Sequence, residues 1–140
     1  MKTNKPTVIL VDDDPQELLR YYIDALKVDF DLRWFRDVDR FLDEFKKISE
    51  VRLFIIDLHM DPGEGLKDAE TDDGYFTGFA LIDHLENYMA QKVNCLFLTG
   101  YDPTSLPPNV RARAKGRLIE WKSECEPIDL VKRVKEMVKQ

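Results

Sequence analysis

The chain has 140 residues, of which 44% are hydrophobic and 34% charged, which suits one packed domain over 1–140 and excludes a disordered chain. A net charge of −6 argues against general nucleic-acid binding. No apolar run approaches the ~20 residues of a membrane span, so no membrane contact is expected.

The N-terminus, MKTNKP, has no apolar h-region and is not read as a signal peptide. The domain core is expected over 5–140. Its first strand is Thr7 to Val11, which runs into Asp12, Asp13 and Asp14. Pro15 can open a helix, because its missing N–H is not needed in the first turn. Leu18, Leu19, Tyr22, Ile23 and Leu26 then recur at helical spacing. Residues 31–35 form a short second strand. Asp37 is a candidate N-cap for a helix carrying Val38, Phe41, Leu42, Phe45 and Ile48.

Leu53, Phe54, Ile55 and Ile56 follow without alternation, as in a central strand covered on both faces. That strand closes in a carboxylate, Asp57. The next segment, 61–77, has six acids against Lys67 alone, with Pro62, Gly63, Gly65 and Gly74 as breakers. Its net charge of −5 and few apolar anchors (Leu66, Tyr75, Phe76) predict a mobile loop. A calcium loop is disfavoured, since Asp73 and Phe79 stand where an EF-hand has Gly and Glu.

A helix over 75–90 carries Phe79, Ile82, Leu85 and Met89. The fourth strand, 93–98, ends in Thr99-Gly100. Prolines 103, 107 and 108 leave room only for a short helix within 109–115, stopped by Gly116. Residues 118–121 form a brief fifth strand ending at Lys122. Pro127 can open a last helix, with Ile128, Val131, Val134 and Val138 inward. His84 is read as a surface residue on its helix. Cys95 and Cys125 are too few for a disulfide framework and are read as reduced thiols in the cytoplasm.

The alternation is strand–helix five times, which implies a parallel sheet with helices on both faces. All strand ends then share one edge. Asp12 and Asp13, Asp57, Thr99 and Lys122 meet there. Each residue alone has a plainer role. The acids could cap a helix or a turn, the Thr could sit in a turn, and the Lys could be solvated. Together they favour a site. Three adjacent carboxylates repel one another unless a cation joins them, and a hard cation such as Mg²⁺ fits. A hydroxyl and an ammonium facing it suit a phosphoryl group, with Asp57 as nucleophile.

The segments VILVDDDP, LFIIDLHM, LFLTG and IEWKS, in this order, resemble the receiver domain of two-component response regulators. The resemblance implies a flavodoxin-like, doubly wound, five-stranded parallel sheet of order 2-1-3-4-5. It implies Mg²⁺, or Mn²⁺, held by Asp12, Asp13, Asp57 and the backbone carbonyl of His59. Asp57 would accept phosphate from a histidine kinase or histidine phosphotransfer protein, with Thr99 and Lys122 contacting the phosphoryl group. Such a protein is no enzyme beyond catalysing its own phosphorylation and dephosphorylation. It relays its signal by contact with a downstream protein. The chain stops after its last helix, so no DNA-binding output domain is expected.

Three departures stand out. The loop after Met60 is longer than the family's by roughly a dozen residues. Ile119 occupies the place of the family's aromatic switch residue, and Trp121 is the nearest aromatic. Ser123 follows Lys122 where the family has Pro, and a cis bond there would cost ~2.5–4 kcal/mol, so trans is expected. The competing readings are a degenerate receiver that binds a partner constitutively, a receiver cut from a longer hybrid kinase, and a dehalogenase-type aspartyl-phosphate hydrolase. The last is disfavoured because His59 stands where such enzymes place an acid/base Asp.

Overall fold

The chain's most apolar runs line up as parallel strands through the middle of the molecule. The computed structural model describes residues 5–14, 17–69, 71–101, 108, 112 and 117–139. Its strands are β1 (Thr7–Val11), β2 (Asp31–Phe35), β3 (Val51–Ile56), β4 (Cys95–Thr99) and β5 (Leu118–Trp121). They pair in the order β2-β1-β3-β4-β5, as expected, with every pair parallel. Among the described residues four helices connect or flank them: α1 (Glu17–Asp29), α2 (Val38–Glu44), α3 (Thr77–Met89) and α4 (Pro127–Val138). A 3₁₀ turn, Phe45–Lys47, extends α2.

Side chains alternate across β3 although its polarity does not. Phe54 and Ile56 join one core with residues of α2 and α3, and Leu53 and Ile55 join another with residues of α1 and α4. Burial on both faces removes any need for polar alternation. Each such side chain stabilises the fold by ~1.5–3 kcal/mol over exposure.

Helix starts follow the capping chemistry. Asp37 accepts from the backbone N–H of Arg40 at 2.7 Å and starts α2, as its sequence suggested. Asp129 accepts from the N–H of Glu126 at 3.3 Å at the start of α4, where Pro127 needs no donor.

Some boundaries and faces differ from expectation. Ile128 is 60% exposed, and α4 instead buries Leu130, Val131, Val134 and Met137. Val131 and Val134 are inward as expected and Val138 packs there in part, while Leu130 and Met137 complete the buried face in place of Ile128. Met89 is largely exposed in the last turn of α3, just before Ala90 ends the helix at a left-handed φ of 54°. Helix α3 starts at Thr77, because Tyr75 and Phe76 still belong to the preceding turn. Strand β4 starts at Cys95: the Val93 N–H is donated to the Glu86 carboxylate and the Val93 carbonyl accepts from Arg117. Among the described residues no peptide bond is cis, so Lys122–Ser123 is trans as expected. Cys95 and Cys125 are free thiols, both buried, and His84 is exposed as expected. Pro15, the side chain of Leu18 and, apart from Ala112, the short helix expected over 109–115 lie outside the described residues.

The acidic loop differs most. Its described residues form successive turns packed against α2 and are not an open, self-repelling strap. Leu66 is buried in the core with α2, and Thr71 is buried as well. The Asp39 carboxylate on α2 accepts from the N–H groups of Glu64 (2.9 Å) and Gly65 (2.7 Å). At the far end Met60 N–H donates to the Gly74 carbonyl at 3.1 Å, and the Thr77 hydroxyl donates to the Met60 carbonyl. Backbone donors thus find partners despite the loop's negative charge. Among the described residues no helix is long and apolar enough to cross a membrane.

Candidate functional site

The C-terminal ends of β1, β3, β4 and β5 bring their polar residues together, as parallel topology requires. Backbone bonds continue the ladder past the strands and fix these residues. Asp57 N–H donates to the Val11 carbonyl at 3.0 Å, and Lys122 N–H donates to the Thr99 carbonyl at 2.8 Å. Gly78 lets α3 approach from the other side. A Cβ there would lie 2.4 Å from the Asp57 carbonyl oxygen, so no side chain fits.

Asp12, Asp13 and Asp57 each offer a carboxylate oxygen within 4.8 Å of the others. Lys122 Nζ lies 2.8 Å from Asp12 Oδ2, 3.0 Å from Asp14 Oδ2 and 3.8 Å from Asp57 Oδ2. Thr99 is fully buried, and its hydroxyl oxygen accepts from Tyr101 N–H at 3.2 Å. A cavity of about 440 Å³ opens above them, lined by Asp13, Asp14, Asp57, His59, Thr99, Tyr101 and Lys122 among others.

Burial is the chief electrostatic force on the carboxyls. It pushes the Asp57 pKa up to about 8, with the nearby Asp12 charge adding to the rise and Lys122 opposing it. Asp12 is raised as well, again mainly by burial, against the pull of Lys122. For Lys122, burial opposes the charge, but Asp12 and Asp57 overcome it and hold the ammonium well above its ordinary pKa.

Asp57 Oδ1 and Asp12 Oδ2 are buried without a hydrogen bond among the described residues, although Asp12 Oδ2 faces the Lys122 ammonium. Buried carboxylate oxygens without donors suit a hard dication such as Mg²⁺, which takes one or two carboxylates and keeps waters. Among the described residues this is the one group so arranged, and the acidic loop supplies none.

All of the expected residues therefore converge: Asp12, Asp13, Asp57, Thr99 and Lys122, with His59 at the rim. Sequence reasoning missed several neighbours. Asp14 pairs with Lys122, and its N–H donates to Asp12 Oδ1 at 2.9 Å. The only signal for it was its place directly after Asp13. Trp34 on β2 donates its indole N–H to the Asp12 carbonyl at 3.0 Å. The His59 ring stacks on both Tyr75 and Tyr101, which also stack on each other. Nothing in the sequence signalled these last contacts. Ile119 and Trp121 pack against the core that contains α3, on the same side of β5.

The fold is that of response-regulator receiver domains. No model of a known protein family matches the chain, and no curated protein matches it. Solved structures do. The isolated receiver domain of RcsB from Salmonella enterica serovar Typhimurium, solved with the phosphomimetic BeF₃⁻, superposes with a TM-score of 0.68 at 22% identity, covering 97% of this chain and 90% of that one. The signal receiver domain of an HD domain-containing protein from Pseudomonas fluorescens Pf-5 gives 0.68 at 20% identity, covering 97% and 96%. The response regulator DrrB from Thermotoga maritima gives 0.67 at 14% identity, covering 96% of this chain and 53% of that longer one.

Proposed function

We propose that the chain is a phosphoacceptor of two-component signalling. Asp57 takes a phosphoryl group from a histidine kinase or histidine phosphotransfer protein, and the change is passed on by protein contact in the cytoplasm, without direct nucleic-acid or membrane binding. One observation carries this reading: three carboxylates meet at the sheet edge, one of them closing the central strand, with a buried ammonium 3.8 Å from it.

In the transfer, an Asp57 oxygen bonds to phosphorus while the bond to the donor's imidazole nitrogen breaks, its electron pair returning to the ring. Lys122 is placed to move from Asp12 and Asp14 onto a phosphoryl oxygen, and the Thr99 hydroxyl can donate to another. Asp12, Asp13, Asp57 and the His59 carbonyl would hold Mg²⁺ or Mn²⁺. That ion, when bound, offsets the repulsion between carboxylates and phosphoryl oxygens.

Incubation with acetyl phosphate and Mg²⁺ should add one phosphoryl group to the intact mass, and Asp57→Ala should abolish the addition. The Asp12→Asn, Asp13→Asn double variant should lose Mg²⁺ affinity by about tenfold or more. An adduct that persists in Asp57→Ala would place the site elsewhere.

A further inference from the structure

The rings of His59, Tyr75 and Tyr101 form a stack at the rim of the Asp57 cavity. His59 and Tyr75 have centroids 5.1 Å apart and are 7° from parallel. His59 and Tyr101 are 5.7 Å apart at 14°, and Tyr75 and Tyr101 are 6.4 Å apart at 20°. The three come from different places: just past Asp57, the end of the acidic loop, and just past Thr99.

Their positions are not equivalent. His59 and Tyr101 line the cavity, and Tyr75 lies outside it, behind them. Tyr75 holds Tyr101 in two ways, through its ring and through its backbone carbonyl, which accepts from the Tyr101 hydroxyl at 2.9 Å. It holds His59 through its ring alone. A phosphoryl group on Asp57 would occupy the cavity whose wall these two rings form.

Resting on the reading that Asp57 carries that group, we propose that Tyr75 is a positioning residue that keeps His59 and Tyr101 closed beside it and so slows its hydrolysis. In that hydrolysis a water oxygen bonds to phosphorus as the bond to the Asp57 oxygen breaks. The electron pair returns to the Asp57 carboxylate and the water's proton passes to solvent. The two rings fill volume at the cavity's edge through which a water would approach, and held closed they exclude water from it. Without the Tyr75 ring both rings lose their stacking partner, Tyr101 keeping only its bond to the backbone carbonyl at 75, and that wall opens.

The test follows the lifetime of the phosphorylated protein after removal of acetyl phosphate, by intact mass. Tyr75→Ala should shorten it between about two- and tenfold, the range that one stacked aromatic pair supports. Tyr75→Phe keeps the ring and the carbonyl and should restore the wild-type lifetime. Tyr101→Phe keeps the stack, loses the hydroxyl bond and should fall between. Tyr21→Ala, on the exposed side of α1, should change nothing. Tyr75 is half-exposed, so Tyr75→Ala should fold, which thermal unfolding checks. Equal lifetimes in folded Tyr75→Ala and wild type would overturn the inference and leave the phosphoacceptor reading standing. Absence of any adduct on the wild type would overturn both.

Discussion

Lys122 lies closer to Asp12 and Asp14 than to Asp57, so Asp57 has the weakest claim of the three on the one buried ammonium among the described residues at the site. Burial and the nearby Asp12 charge, against the pull of Lys122, hold up the pKa of Asp57. Its folded pKa near 8 is far above the 3.8 of an ordinary Asp. The fold thus favours the neutral acid, and that contribution is complete below pH 3.8 and is lost as pH rises through 8. Asp12 acts with the same sign. With divalent cations chelated, urea unfolding should show stability falling between pH 4 and 8 by on the order of a few kcal/mol. Asp57→Asn should flatten much of this slope and be the more stable protein at pH 8. An equally steep slope in Asp57→Asn would assign it to other groups. The convergence of Asp12, Asp13, Asp57, Thr99 and Lys122 was legible in the sequence because each lies at or just past the end of an apolar strand and parallel strands put such ends on one edge. The grip of Asp14 on Lys122 was not, since an Asp there is as well explained by helix capping.

The acidic loop is where element-level reading met its limit. Counting charges predicted repulsion, but Asp39, a residue of another element, satisfies two of the loop's backbone donors. Those two bonds also hold the Asp39 carboxyl below its ordinary pKa, so the anchor persists at neutral pH and weakens only as pH falls through that lowered value. Asp39→Ala should therefore speed amide exchange of Glu64 and Gly65 by about fivefold or more while the β3 amides stay protected. Unchanged exchange at both would mean that Leu66 alone seats the loop. Helix α4 teaches a related lesson. Ile128, Val131, Val134 and Val138 make one stripe and Leu130, Val131, Val134 and Met137 another, and only packing on α1 and the sheet selects the second.

At the scale of the whole molecule the sheet separates two cores, one beneath α1 and α4, the other beneath α2, α3 and the acidic loop. This layering was legible because five apolar runs alternate with amphipathic ones, whereas the strand order was implied by the resemblance to receiver domains. On the loop side Tyr75 stacks on the His59 ring, Gly78 N–H donates to the Leu58 carbonyl and Met60 N–H donates to the Gly74 carbonyl, whereas Ile119 offers β5 no hydroxyl to exchange partners. Chemical-shift changes on forming the beryllofluoride state should therefore concentrate in 58–80; changes confined to 101 and 117–121 would give β5 the larger role. The bond from the Trp34 indole to the Asp12 carbonyl has a practical corollary. It places a fluorophore on the outermost strand, one hydrogen bond from the carboxylate cluster, with the Arg36 guanidinium 5.4 Å from the ring centre. The chain has two tryptophans, so Trp121→Phe leaves Trp34 as its sole indole. The emission of that variant should shift on addition of Mg²⁺, with no label attached, and the shift should vanish with Asp12→Asn, Asp13→Asn. Emission that stays constant while calorimetry records binding would mean that the edge strand is optically insulated from the site.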